Sequence, residues 1–445
     1  MLKKILNCLF FFFLSLPLLA QKDFVEGMNT ADYTYVDFIK TPILTAKYSS
    51  YKSVENQLSL DVSNPNLNLM PVFSLNSGSG VTLSFDDLSE DDKNYGYTII
   101  HCNYDWTISN LNYSDYIDGF SDDILQDYDF SNATKYNYRH FEISFPNDMM
   151  KPLISGNYLF VIYDDNTELP VLVKRFAIDE NQPGIAFGNV SLGMSPESRF
   201  THHELNLQVN TSKLDNYFFP EELKIVAQQN GRWDNALFNI PYSRLDNTSI
   251  YYQKLNHNIF EAGSEYRAFD TRLLQMHGEG VQAIQLTNTD NIITLKTGTP
   301  KKKTFFVNQI DLNGGYIVNR YNSRNSLTQA DYATVNFSLE SKFGRLNGDV
   351  YILGELNDWN LDDNSKMTYH PEEQLYRKTY TLKQGYYNYS YLFVPHIENA
   401  KASFDMFEGN FSQTSNQYRV YVYQKNNGIP SYDKLISVLT FDFNR

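Results

Sequence analysis

The chain is poor in cysteine. It has two: Cys8, inside the apolar N-terminal run, and Cys102. Once the first is removed, no internal disulfide is available. The chain is also short of positive charge. Its 37 Lys and Arg stand against 52 Asp and Glu, a formal net charge of -15, which argues against nucleic acid and anionic lipid surfaces as partners. Lys301-Lys302-Lys303 is too short to reverse that balance and reads as a solvated edge. Beyond the first twenty residues no apolar run is long enough for a membrane-spanning helix. Gly-x-Ser-x-Gly elbows, His-Glu-x-x-His helices, P-loops and dinucleotide fingerprints are missing as well.

What is present begins with an export signal. Lys3 and Lys4 precede an apolar run from Ile5 to Leu19, and Leu19-Ala20-Gln21 supplies a small residue at a cleavage point. Residues 1–20 therefore read as a secretory signal peptide. Cys8 sits at the start of the run, whereas a lipid-modified cysteine would follow it. Export permits disulfides, yet the mature chain must fold by burial alone, and it is long enough to hold several cores. Cys102 is expected as a small buried strand residue.

The body of the chain is written in strand period. Aromatics make up 15% of it, chiefly Tyr and Phe, and both favour strands. Alternation is visible at Leu58, Leu60 and Val62, at Leu205, Leu207 and Val209, at Tyr387, Tyr389, Tyr391 and Phe393, and at Tyr418, Val420 and Val422. Turn clusters at 64–66, 77–80, 313–315 and 426–428 separate such runs. The pattern predicts an all-β protein of tandem immunoglobulin-like (E-set) β-sandwich domains. The expected division is a first sandwich over 21–180, a second over 181–310 closing on Thr304 to Val307, a third over 325–425, and a tail strand over 426–445. A membrane barrel also alternates, but adjacent Arg377 and Lys378 project to opposite faces of one strand. One of them would then sit in hydrocarbon at a cost of about 2–4 kcal/mol.

Residues 99–106 look like chemistry: Ile99-Ile100-His101-Cys102-Asn103-Tyr104-Asp105-Trp106. On a straight strand His101 and Asp105 share a face but lie about 13 Å apart, too far to form a dyad. His202-His203-Glu204 lacks a second ligand pair at metal spacing. The acidic loop with Asp122, Asp123, Asp127 and Asp129 lacks the Gly and terminal Glu of an EF-hand. The reading is of a protein that is not an enzyme and takes no cofactor or metal.

Two resemblances add to this. Gly354-Glu355-Leu356-Asn357-Asp358-Trp359-Asn360 is similar to the Gly-x-Phe-Asn-x-Trp turn of starch- and glycogen-binding sandwich modules, with Leu356 in place of Phe. There Asn closes the turn, and Trp either faces a sugar ring or packs beneath the turn; both roles are open for Asn357 and Trp359. A secreted carbohydrate-binding protein using Trp359 is accordingly the alternative function. The second resemblance runs through residues 99–163, Asn230 to Asn235, Asn258 to Asp270, and Phe407 to Tyr418, where Ser415 replaces an expected acidic residue. In these motifs the chain resembles the plug proteins of the Bacteroidetes type 9 secretion system. That resemblance implies a periplasmic protein that seals the outer-membrane translocon barrel by protein contact, peripheral to the membrane and monomeric when free. Candidate contact residues are Trp106, Tyr116 and Trp233, together with the loop from Asp115 to Asp129.

Overall fold

Strand accounts for 47% of the protein and helix for 5%, so the fold class is all-β. The computed structural model describes residues 37–50, 71–253, 256–301, 305–342, 344–397 and 401–443. The signal segment and the alternation at Leu58, Leu60 and Val62 lie outside the described residues.

The described strands build three β-sandwiches, each with its own apolar cluster. In the N-terminal one, a sheet ordered Phe38–Ile39, Pro170–Asp179, Gly156–Asp164, Tyr95–Cys102, Asp123–Ile124 faces a sheet ordered Ile43–Ser50, Val81–Asp87, Arg139–Phe145, Asp129–Phe130. Between them lie Phe85, Phe141, Phe160 and Phe176. The strands Gly156–Asp164 and Pro170–Asp179 are buried at every position. Their inner face meets this core. Their outer face, with Leu159, Val161, Val173 and Ala177, packs on Val226, Tyr421, Tyr423 and Leu435 of the next sandwich. Such double burial explains why the run Tyr158 to Ile162 is continuously apolar rather than alternating.

The middle sandwich is discontinuous in sequence. One sheet carries Ala186–Leu192, His202–Asn210 and Ser249–Tyr252. The other pairs Leu223–Gln229 with Asn416–Asn426 and then Tyr432–Phe443. The third sandwich is inserted between Glu261 and Asn416. Arg267–Asp270, Tyr316–Val318 and Gly348–Leu353 pair with Gly385–Pro395, opposite a sheet of Val281–Leu286, Asn291–Leu295, Tyr332–Glu340, Leu375–Lys383 and Thr368–His370. Two expected boundaries therefore fall. The stretch 305–310 is irregular rather than a closing strand, and Arg267–Asp270 and Val281–Leu295 belong to the third sandwich, not the second. Residues 416–443 belong to the second, not to the third and a tail. Pairing between positions almost two hundred residues apart leaves no local mark in the sequence.

The alternation itself is realised. Leu205, Leu207 and Val209 line the middle core with Tyr418, Val420 and Val422, while Tyr387, Tyr389 and Tyr391 line the inserted one.

Candidate functional site

Each piece of suggestive chemistry in residues 99–106 is absorbed by packing. His101 is buried, with Nδ1 2.9 Å from the Ser109 hydroxyl and Nε2 3.3 Å from the Ser155 carbonyl. Burial pulls its pKa down to about 4, so the ring is neutral. Cys102 is fully buried and burial pushes its thiol pKa far up, which leaves it without thiolate character. Asp105 stands in an exposed turn, where its carboxylate accepts from the Thr107 backbone and hydroxyl at 3.1 and 2.6 Å. His203 is buried between the Tyr418 hydroxyl (2.6 Å) and the Ser412 carbonyl (2.9 Å), tying two parts of the middle sandwich together. Among the described residues no group of three His, Cys, Asp or Glu side chains could hold a metal ion.

The tryptophans expected at an external contact serve internal ones. Trp106 is completely buried and meets Trp233 edge-on at 5.0 Å between centroids. The Arg175 guanidinium lies 5.3 Å and 5.4 Å from the two rings. Trp233 in turn packs on Phe238 and Tyr421. This is the joint between the N-terminal and middle sandwiches. Tyr116 is likewise buried, beside His101 and Tyr158. Trp106 and Tyr116 thus offer no face to a partner, which corrects the expectation from sequence; Trp233 is half-buried and spent on the same joint.

Trp359 is corrected in the same way. It is 7% exposed, with the Arg232 guanidinium 4.5 Å over its ring and Tyr266 edge-on at 5.6 Å. On another side Gly314, at φ +86°, comes so near that a Cβ there would stand 2.3 Å from the indole. No ring face is left for a sugar. Asn357 closes the turn, accepting from Gly354 N–H at 3.2 Å and donating to the Ile352 carbonyl at 2.7 Å. Asp358 and Trp359 follow with φ of 51° and 60°, a left-handed conformation that costs roughly 1–3 kcal/mol each in a non-glycine residue. The contacts made there offset it. Asp358 pairs with Lys174 of the N-terminal sandwich, Glu355 pairs with Lys47 at 2.9 Å, and the Asn360 amide donates to the Asp37 carbonyl at 2.8 Å. The glucan-module turn is a wedge that locks three sandwiches.

A second ionic joint holds the N-terminal sandwich to the inserted one. Asp86 is fully buried. It accepts from Lys383 at 2.6 Å, from the Tyr332 hydroxyl at 2.6 Å, and pairs with His140 Nδ1 at 2.6 Å. Lys383 also donates to the Leu327 carbonyl and sits 4.2 Å over the Tyr138 ring. Burial lowers the Lys383 pKa. For His140 burial also works downward, but Asp86 and Glu142 outweigh it and the pKa rises.

The motif stretches 230–235, 258–270 and 407–418 meet where the chain enters and leaves the inserted sandwich. The two connections run side by side: Phe411 N–H donates to the Gly263 carbonyl (2.8 Å), Gly263 N–H to Asn410 (2.9 Å), and Asn416 to the Ala262 carbonyl (2.8 Å). Glu408, fully buried, accepts from Arg267 and from Tyr391 N–H at 2.9 Å and pairs with Lys301 at 3.1 Å. Burial alone would raise its pKa, but Arg267 and Lys301 more than offset that. Ser415, where an acid was expected, donates its N–H to Glu265 at 3.1 Å. Burial, aided by the facing Asp311 carboxyl, pushes the Glu265 pKa up to about 8. A cleft of about 290 Å³ opens beside this neck, lined by Arg232, Asp234, Tyr266 and Phe404 among others. Its Arg232 is already held by Asp234 at 3.0 and 2.5 Å, and Glu408 by Arg267.

Comparison with known proteins fits this picture of a packed block. Residues 52–180 match the family model described as type 9 secretion system plug protein 1st domain. Those residues carry the plug family's first domain. The resemblance read from the motifs is borne out there, and it supports a plug-like role in type 9 secretion, an interaction with a component of that system, and an exported, envelope-associated location. The crystal structure of a hypothetical protein from Parabacteroides merdae is 29% identical and superposes with a TM-score of 0.83, covering 92% of this chain and 99% of that one. The three-sandwich arrangement is therefore shared over nearly the full length. No curated protein matches.

What sequence reasoning missed is exposed apolar surface. Phe120, Ile124, Tyr128 and Phe130 stand out from the acidic segment 117–130. The loop from Asp115 to Asp129 is expected as a contact from the sequence, but Phe120, Ile124, Tyr128 and Phe130, which carry its exposed apolar surface, are not among the candidate residues.

Proposed function

We propose that this protein is a periplasmic plug of the type 9 secretion system, sealing the outer-membrane translocon barrel when no cargo is engaged. The plug-domain match over residues 52–180 carries the reading. Three observations support it. The body is built without disulfides, since Cys102 is a free, buried thiol, and its sandwiches are joined through buried aromatic and ionic contacts that resist relative motion. A folded body of this length has a radius of gyration of about 22 Å, the scale of the folded cargo such a pore would pass. His101, Cys102 and His203, the residues that most suggested chemistry, are buried in packing, which suits a part that works by occupying space. The protein is exported, acts through protein contact at the membrane, and is monomeric when free.

The test is genetic. Deleting the gene makes the outer membrane permeable to large solutes, and the wild-type gene restores the barrier. An outer membrane that still excludes a large antibiotic after deletion would remove the proposal.

A further inference from the structure

The N-terminal sandwich ends both of its sheets on one segment. Asp123–Ile124 is the outer strand of one sheet and Asp129–Phe130 of the other. Each is two residues long. Other faces of the sandwich are covered: the outer face of Gly156–Asp164 and Pro170–Asp179 meets the middle sandwich, and Asp86 and Lys174 meet the inserted one. Along this rim Phe120 is 65% and Phe130 70% exposed, with Ile124 and Tyr128 between them. Phe120 N–H donates to the Met149 carbonyl at 3.0 Å and Leu153 N–H to the Tyr116 carbonyl at 2.9 Å. Exposed Met149 and Leu153 therefore extend the same surface.

Isolated exposed apolar residues are ordinary, but a continuous set on a rim marks a contact surface. Its charge narrows the partner. From 115 to 130 the chain carries Asp115, Asp118, Asp122, Asp123, Asp127 and Asp129 and no Lys or Arg, and the adjoining stretch 149–153 adds one exposed cation, Lys151, in register with Asp118, so the rim stays strongly acidic. An anionic lipid surface or nucleic acid would be repelled. A polar rim around an apolar centre is the anatomy of a protein interface, and a row of aspartates steers toward a cationic one.

We propose that the rim formed by residues 117–130 and 149–153 is the docking surface of this protein, and that it takes a protein surface offering apolar side chains ringed by Lys and Arg. On the plug reading, on which the identity of the partner rests, that surface belongs to the translocon barrel. The aromatic residues carry the affinity, and the aspartates set the on-rate and its salt dependence.

The test places a photo-cross-linking phenylalanine analogue at Phe120 in the full chain, expressed in the native bacterium. The same analogue at Phe200, which is 70% exposed on the middle sandwich, serves as control. The expected result is an adduct from position 120 with an outer-membrane protein, at a peptide that combines apolar residues with Lys or Arg, and no such adduct from position 200. In parallel, the pair Phe120→Ser and Phe130→Ser lowers co-purification of the cross-linked partner by about tenfold or more, as loss of interface aromatics does, without changing the amount of folded protein. An adduct with a second copy, with another segment of the same chain, with lipid, or none at all overturns the proposal, as does unaltered co-purification. Because deletion of the gene is scored separately for leakage, an intact barrier alongside a specific adduct would sink the plug reading and leave the docking surface standing.

Discussion

Against the middle sandwich, the N-terminal sandwich presents Leu159, Val161, Val173 and Trp106 to Tyr421, Tyr423, Leu435 and Trp233. Against the inserted sandwich it presents Asp86 and His140 to Lys383 and Tyr332. The first joint is chiefly apolar around one buried guanidinium, Arg175; the Tyr423 hydroxyl donates to Asn157 at 2.7 Å, while the indole N–H groups of Trp106 and Trp233 have no hydrogen-bond partner among the described residues. Apolar burial is non-directional, about 25 cal/mol per Å², so this joint supplies strength and tolerates small shifts. The second joint gains little net energy, because desolvating two charges costs about what their attraction returns. It supplies position: Asp86 is satisfied in one arrangement only. A body that must stay one rigid piece thus uses grease to hold one neighbour and fixed charge to orient the other.

The ionic joint is the place to break this contrast hardest. Lys383→Met leaves Asp86 buried without the ammonium that donates to it, and we expect a loss of about 3–5 kcal/mol in urea unfolding. The loss depends on pH. The raised pKa of His140 means that its charged form stabilises the fold fully below the unfolded value of about 6.5 and fades as pH rises through the folded value. His140 can partly stand in for Lys383 at pH 6 but not at pH 9, so the variant should suffer more at pH 9. The double variant Asp86→Leu with Lys383→Met should recover most of the loss. Equal losses in single and double variants would mean that the cluster is not a coupled unit.

At the apolar joint, Trp233→Ala removes the stack on Trp106, Phe238 and Tyr421. A half-buried Trp should cost about 2–3 kcal/mol, below the range for fully buried aromatics. Between pH 6 and pH 9 that figure should not move, and a pH-dependent loss would erase the distinction between the two joints. A third variant probes the neck. Glu265 keeps its proton to about pH 8, whereas the unfolded chain releases it near 4.3. Its contribution is therefore complete at low pH and declines as pH climbs toward 8. Glu265→Gln should flatten that decline, gaining on the order of 1–2 kcal/mol over wild type at pH 8 and little at pH 4. Thermal unfolding at the two pH values measures it.

Much of the fold was legible because strand period is local. Leu205, Leu207 and Val209 could be assigned to one face from spacing alone, and the turn at 77–80 does separate Val72–Ser74 from Val81–Asp87. The insertion was not legible. Nothing near Leu223–Gln229 says that its partner is Asn416–Asn426, and the expected cut at 310 followed the local strand-like run Thr304 to Val307 where topology decided. The tryptophans were recognised as contact residues, but a sequence does not say whether the surface across from Trp106 belongs to the same chain. Trp359 shows the same limit. Its turn was identified, and what covers the ring, Arg232 from more than a hundred positions away, was invisible. The neck was flagged only by resemblance, since Glu265 and Asp311 acquire their chemistry from meeting in space.

The sharpest form of the comparison needs a pair with the same geometry and a different environment. Arg377 and Glu373 are 2.5 Å apart, as close as Lys383 and Asp86 at 2.6 Å. The exposed pair retains 49% and 45% of its side-chain surface, against 1% for each member of the buried pair. Water therefore solvates Glu373 as soon as Arg377 is removed, and salt screens the attraction in the meantime. Arg377→Ala should change stability by no more than about 0.5 kcal/mol, and raising the salt to 0.5 M should shrink even that. Were Arg377→Ala as costly as Lys383→Met, short distance rather than burial would govern ion pairs in this protein, and the assignment of a positioning role to Asp86 would lose its physical basis.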